Sequence, residues 1–262
     1  MATLSITQIL IIIGILGLIV GSFLSMLTYR LPQIAMSENP DSLLKDISVG
    51  GSKCPNCAAN LPWYRLIPLF SWLYSAGKCH NCKTKISARY PIIELTTAIL
   101  TVACIWNFGL NLTGIAATLF SWFLIAIIVI DLEHQLILDS LSLPLLWLGL
   151  IINTQSVFTS PIEAIWGAAI GYTLLWLVFH TFKLLTGKEG MGYGDFKMLA
   201  ALGAWFGVIA LPQIILIAAI SSILITITGI LLKQRNKDTP LAFGPFLAIG
   251  GWATLFLGSN IF

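Results

Sequence analysis

The sequence predicts an all-α polytopic membrane protein with about eight transmembrane helices and a small polar, cysteine-rich domain between the first and second. Three observations predict it. Hydrophobic residues are 57% of the 262 residues and charged residues 10%, where a soluble domain carries about 25% charged residues. Apolar runs recur along the chain at the length of roughly 20 residues that a helix needs to span a bilayer. Every Lys and Arg falls in alternate loops, so all of them lie on one side.

The apolar runs cover about 6–28, 91–107, 112–130, 140–158, 162–182, 196–211, 213–232 and 241–259. Backbone groups in lipid must be satisfied internally, so these runs are expected as helices. The first run has no basic residue before it and no small-residue cleavage site after it, so it reads as a retained helix rather than a signal peptide. Pro144 sits near the start of the fourth run, where a helix tolerates it. The expected organisation is a first transmembrane helix (1–28), a cysteine-rich domain (29–90) and a membrane-embedded domain (91–262).

The long loop carries Arg30, Lys45, Lys53, Arg65, Lys78, Lys83, Lys85 and Arg89. Lys183, Lys188 and Lys197 flank the loop after the fifth run, and Lys233, Arg235 and Lys237 follow the seventh. The positive-inside rule therefore places all three loops in the cytoplasm and the N-terminus on the far side. The formal net charge of +3 adds little, and no nucleic-acid partner is expected. Membrane lipids are the expected surroundings, and "LLKQRNKD" reads as a contact for anionic headgroups.

Two acidic stretches share that cytoplasmic side. "IDLEHQLILDS" joins the third and fourth runs, and "GKEGMGYGDFK" joins the fifth and sixth. Asp131 follows the unbroken apolar run "LIAIIVI", and Asp195 follows alternating glycines. Acids at a membrane edge are costly unless they face a partner or a water-filled cavity. Each taken alone reads equally as a helix cap, and Asp139 before "SLSLPLL" is a still better cap candidate. Taken together, Asp131 and Asp195 form a candidate pair. Two carboxylates in one site share a proton, so one can activate water while the other protonates a leaving amine. The glycines before Asp195 would then let the backbone take unusual torsions and come close to an extended peptide. The same two acids would also suit a proton path in a transporter or channel.

Cys54 and Cys57 form "CPNC", and Cys79 and Cys82 form "CHNC". Two CxxC pairs suit a closed tetrahedral zinc site. Disulfides are rare in the cytoplasm, which disfavours a redox pair. A four-thiolate site has no open position, so zinc here would be structural. Cys104 lies in an apolar run and reads as a packing residue. Glu94 opens the second helix and is either a binder of positive charge or an interfacial partner of Arg89. Lys197 either acts on Asp195 or reaches to the headgroups.

These motifs together resemble one family. "GMGYGDFK" is similar to the GxGD motif of intramembrane aspartic proteases. With "GSFLSMLTYRLP", the two CxxC pairs, "RYPIIELTTA", "DLEHQLILDSLSLPLLWLGL" and "FGPFLAIGGW", the chain resembles the bacterial type IV prepilin peptidases over nearly its whole length. Leu138 stands where that family usually has Pro, and Ser25 where it usually has Asn. The resemblance implies an inner-membrane enzyme that removes leader peptides from prepilins and pseudopilins of type IV pili and type II secretion. It implies cleavage after a glycine at the cytoplasmic face, then N-methylation of the new terminus with S-adenosylmethionine. It maps the catalytic pair onto Asp131 and Asp195, and not Asp139. No nucleotide-binding glycine pattern accounts for the methyl donor. Gly77, in "AGKC", matches a family motif tied to methylation and reads equally as a turn glycine.

Overall fold

The computed structural model describes residues 5–37, 54, 56–60, 62–188, 191–232 and 241–258. Lys45, Lys53, Gly190 and the basic stretch with Lys233, Arg235 and Lys237 lie outside the described residues. Among the described residues the regular elements are helices, and an isolated antiparallel bridge joins Lys78 to Lys85. It divides into two compact units, 1–126 and 127–262.

In the first unit, α1 (Ile6–Ala35) begins at a capping box, in which Ser5 and Gln8 satisfy each other's backbone N–H groups. A 3-10 turn (Trp63–Leu66) and the short α2 (Phe70–Tyr74) precede α3 (Arg89–Phe108). α1 and α3 pack closely, because a Cβ on Gly17 or Gly21 would meet the Cα of Ala98 or Glu94 at 2.7 and 2.6 Å. Small residues at such crossings are the usual means of helix association in lipid. Arg89 locks the same pair, donating to the Ser25 carbonyl at 3.0 Å and the Thr28 hydroxyl at 2.8 Å. α4 (Leu112–His134) starts in this unit, and Trp122 Nε1 donates to Thr101 on α3 at 2.9 Å. Cys104 is fully buried, with its sulfur 3.5 Å from the Ser121 hydroxyl.

The second unit holds the end of α4, then α5 (Asp139–Asn153), α6 (Pro161–Thr186), α7 (Tyr193–Phe206), a 3-10 turn (Val208–Ala210), α8 (Leu211–Leu231) and α9 (Gly244–Leu257). α6 shows local start and stop signals: Ser160 caps it, Pro161 opens it and Gly187 ends it at φ +70°. α7 is the core of the unit, buried from Met198 through Phe206. It meets α6 backbone to backbone, since a Cβ on either Gly167 or Gly203 would sit 2.2 Å from the other's carbonyl oxygen. α5 holds its far end. Asn153 donates to the carbonyls of Ala204 and Trp205 at 2.9 and 2.8 Å, and Trp205 Nε1 returns a bond to the Leu145 carbonyl at 2.8 Å. Those are terminal carbonyls that α7 leaves without helical partners.

A helix overlaps each of the eight predicted apolar segments, but the count of eight full spans is not supported. Among the described residues, five helical stretches are long and apolar enough to cross a membrane: α1, α3, α4, α6 and Val208–Leu231. α5 has 15 residues, and α7 and α9 have 14 each. At roughly 1.5 Å per residue these reach only about 21–23 Å, less than the ~30 Å hydrocarbon core. Apolar composition does not separate a lipid-facing span from a helix buried in protein, and α7 is of the second kind.

Gly203→Leu is expected to separate α6 from α7 and to lower stability by at least about 1–3 kcal/mol, the usual range for overpacking. Thermal unfolding of the detergent-purified protein measures it.

Candidate active site

Asp131 lies in the last turns of α4, where its carbonyl accepts from the Gln135 N–H at 2.9 Å as the helix ends. Asp195 is in the first turn of α7. Among the described residues three carboxylates are buried, and these are two of them, at 4% and 7% exposure; the third is Glu94 in the first unit. Asp131 and Asp195 come from different helices, and one side chain, Ile137, lies against both the residue before Asp195 and the glycine that bonds Asp131. Asp195 is not the N-cap residue of α7, which is Gly192; from the first turn its carboxylate accepts the Gly192 backbone N–H, so it satisfies one N–H at the helix start as the cap reading expected.

A third element reaches this pair. The N–H of Gly244, the first residue of α9, donates to Oδ2 of Asp131 at 2.9 Å in a buried bond. A Cβ at Gly244 would stand 2.6 Å from that oxygen. The glycine is therefore required by close approach, and Pro245 after it starts the helix without needing an N–H partner. Ile137 completes the frame. A Cβ on Gly194 would meet the Ile137 Cβ at 2.6 Å, and one on Gly244 would meet its Cδ1 at 3.0 Å. The loop after α4 thus wedges one side chain against the starts of both α7 and α9.

This corrects the expectation for the described glycines of "GMGYGDFK". Gly192 is extended at φ −81° and Gly194 is helical, so neither takes an unusual torsion. Gly194 supplies room for Ile137 beside Asp195. Asp139 also differs from its cap reading. The cap position of α5 is Leu138, and the Asp139 carboxylate instead pairs with Lys197 Nζ at 2.5 Å. That ion pair ties the start of α5 to α7, and Lys197 is spent on it rather than on the headgroups.

The sequence reading assigned no role to Gly244 or Ile137. "FGPF" was a visible signal, since Gly-Pro marks a helix start. That its N–H meets an acid 113 positions earlier is not local information.

The four cysteines meet in the first unit. Their sulfurs lie within 4.8 Å of one another, with Cys54 and Cys82 3.8 Å apart. Zn–S bonds of about 2.3 Å in a tetrahedron put the sulfurs about 3.8 Å apart, so the cluster fits zinc. The two CxxC turns share one geometry. The N–H groups of Ala58 and Lys83 bond back to the Cys54 and Cys79 carbonyls, and both residues take positive φ, 54° and 59°. The hydroxyl and N–H of Thr84 hold the Cys82 thiol down to about 5, which favours the thiolate that ligates metal. Gly77 stands behind the second turn at φ +64°, where a Cβ would meet the Trp72 ring at 2.9 Å. The Trp72 Nε1 donates to the Ile86 carbonyl at 3.2 Å. This is a turn glycine under an aromatic lid.

The fold and these sites define a helical membrane protein with a buried carboxylate pair and a four-cysteine cluster. Comparison with known proteins then gives the family. Residues 15–108 match the bacterial peptidase A24 N-terminal domain, and residues 118–228 match the type IV leader peptidase family. The chain is similar to the prepilin leader peptidase/N-methyltransferase of Stutzerimonas stutzeri, 43% identical over 94% of this chain and 90% of that protein. The protein of that name in Pseudomonas aeruginosa is 43% identical over the same shares. That of Aeromonas hydrophila is 43% identical over 95% of this chain and 91% of its own. The chain belongs to the type IV leader peptidase family. No solved structure matches it.

The purified protein is expected to carry zinc in an equimolar amount, and Cys79→Ser to lose most of it. Metal analysis by plasma mass spectrometry checks this.

Proposed function

We propose that this chain is an aspartic endopeptidase of the inner membrane that removes the leader peptides of prepilins and pseudopilins, with Asp131 and Asp195 as its catalytic pair. The observation that carries the reading is the meeting of two buried acids from separate helices, one of them held by the Gly244 N–H. The names of the similar proteins support the substrate class. The strongly basic loop at 29–90 and the end of α4 are separated by two helices long enough to cross, α3 and α4, so they share a side, which supports a site facing the cytoplasm.

In this reading the pair holds one proton between its two members. The ionised carboxylate takes a proton from a water as that water attacks the scissile carbonyl carbon. The protonated carboxyl gives its proton to the departing amine as the C–N bond breaks. The pair ends with the proton exchanged between members and acts as one unit. The Gly244 N–H fixes one oxygen of Asp131, so the rigid start of α9 sets how that carboxylate faces the substrate. Ile137 and the Lys197–Asp139 ion pair hold the loop after Asp131 against α7. The peptide is cut after a glycine.

The second activity is methylation of the new N-terminal amine, with S-adenosylmethionine supplying the methyl group. Gly77 has its space filled by Trp72, so it serves that activity through the fold of the cysteine-rich region and not as a pocket wall. Cys54, Cys57, Cys79 and Cys82 would hold zinc, which with four thiolate ligands would brace that region and leave no open position for hydrolysis.

Asp131→Asn and Asp195→Asn are each expected to reduce prepilin cleavage in membranes on the order of a thousandfold, within the usual reach of acid–base groups. Mass spectrometry reads leader loss and the added methyl separately, and both variants should still methylate a pre-cleaved substrate. Cleavage near the wild-type rate by either variant overturns the pair. Gly244→Ala should lower kcat about ten- to a hundredfold, the scale of a misplaced catalytic group, with zinc content unchanged.

A further inference from the structure

The first unit contains an apolar surface that neither the cysteine cluster nor the acid pair uses. On α2 and the turn before it, Phe70, Leu73 and Tyr74 are 67%, 65% and 96% exposed, and Leu66 and Ile67 are 39% and 42% exposed. Within α2 the positions 70, 73 and 74 lie on one face of the helix, and Leu66 and Ile67 precede it. Trp72 points the other way, bonded to the Ile86 carbonyl beside the cysteine turns. The segment therefore has a face attached to the cysteine-rich fold and an opposite face that is wholly apolar.

Its depth is set by one bond. The N–H of Leu69, a non-glycine residue at φ +60°, donates to the buried carboxylate of Glu94 on α3 at 2.8 Å. α3 has 20 residues, about 30 Å, so its whole length is needed to cross the hydrocarbon core. Glu94 lies about 7.5 Å along the helix from Arg89, at roughly 1.5 Å per residue. Beside it on α3, Ile92 and Leu95 are 60% and 48% exposed, as expected of a lipid-facing surface. A segment tied to Glu94 is held at that depth. The exposed Lys78 follows it in sequence, where it suits anionic headgroups.

We infer that the segment Leu66–Tyr74 is a membrane-surface anchor, with Phe70, Leu73 and Tyr74 inserted among the phospholipids of the leaflet at which α3 begins. The cysteine-rich region is then seated on the bilayer at a fixed height rather than suspended in water. Tyr and Phe at the headgroup level and an apolar helix face lying in the interface are the usual features of such anchors. The inference rests on α3 crossing the bilayer and is independent of the acid pair.

The test places the photo-crosslinking residue p-benzoylphenylalanine singly at Phe70, Leu73, Tyr74 and, as a water-facing control, His80. The full-length protein is reconstituted in phosphatidylethanolamine–phosphatidylglycerol vesicles, and its zinc content is measured. Irradiation should give phospholipid adducts at the three anchor positions, roughly tenfold above His80 given their different depths, and added prepilin should not change them. Adducts at the level of His80 overturn the anchor. Adducts to prepilin in place of lipid also overturn it, and would make this face a substrate dock. Loss of prepilin cleavage in these variants bears only on the peptidase reading, since the adducts are read without turnover.

Discussion

A buried carboxylate is tolerated only where something replaces the water it has lost, and here that replacement decides the arrangement of the second unit. Asp131 is withdrawn from solvent at the end of an apolar helix and receives a backbone N–H from Gly244. Leaving such an acid without a partner would cost several kcal/mol. The bond requires α9 to begin at that point, and a residue without Cβ to begin it. It also requires the loop after α4 to fold back so that Ile137 fills the gap against Gly194 and Gly244. With those contacts made, Gly194 at the start of α7 packs on Ile137 and Asp195 follows it directly.

The first unit solves a similar problem with a different result. Glu94 is buried between α1 and α3, and its partner is the N–H of Leu69. The alternatives open from the sequence were a partner for Arg89 or a binder of positive substrate groups. Instead Arg89 bonds α1, through Ser25 and Thr28, and Glu94 fastens the chain before the cysteine turns. One buried acid thus gathers the starts of other helices around it, while another fastens a loop to a helix. Position and partner separate them, not residue type.

The three short helices show why membrane proteins of this kind are hard to count from hydropathy. α7 is apolar because it is enclosed by α5 and α6, with Gly167 and Gly203 in backbone contact. α9 is apolar and opens on the acid pair. Helices like these need not match the bilayer thickness, because protein rather than lipid surrounds part of their backbone.

The sequence by itself determined the helical membrane class and the four-cysteine cluster, and it marked Asp131 and Asp195 as acids at the ends of apolar runs. Those signals are local: long apolar runs, paired CxxC spacing, and acids ending or opening such runs. It did not determine why the glycines precede Asp195, what Asp139 and Lys197 do, or that Gly244 belongs to the site. Only the tertiary structure decided these. A Cβ clash, an ion pair between α5 and α7 and a backbone donor 113 residues from its acceptor exist only when distant segments meet, and no local preference encodes which segments those are.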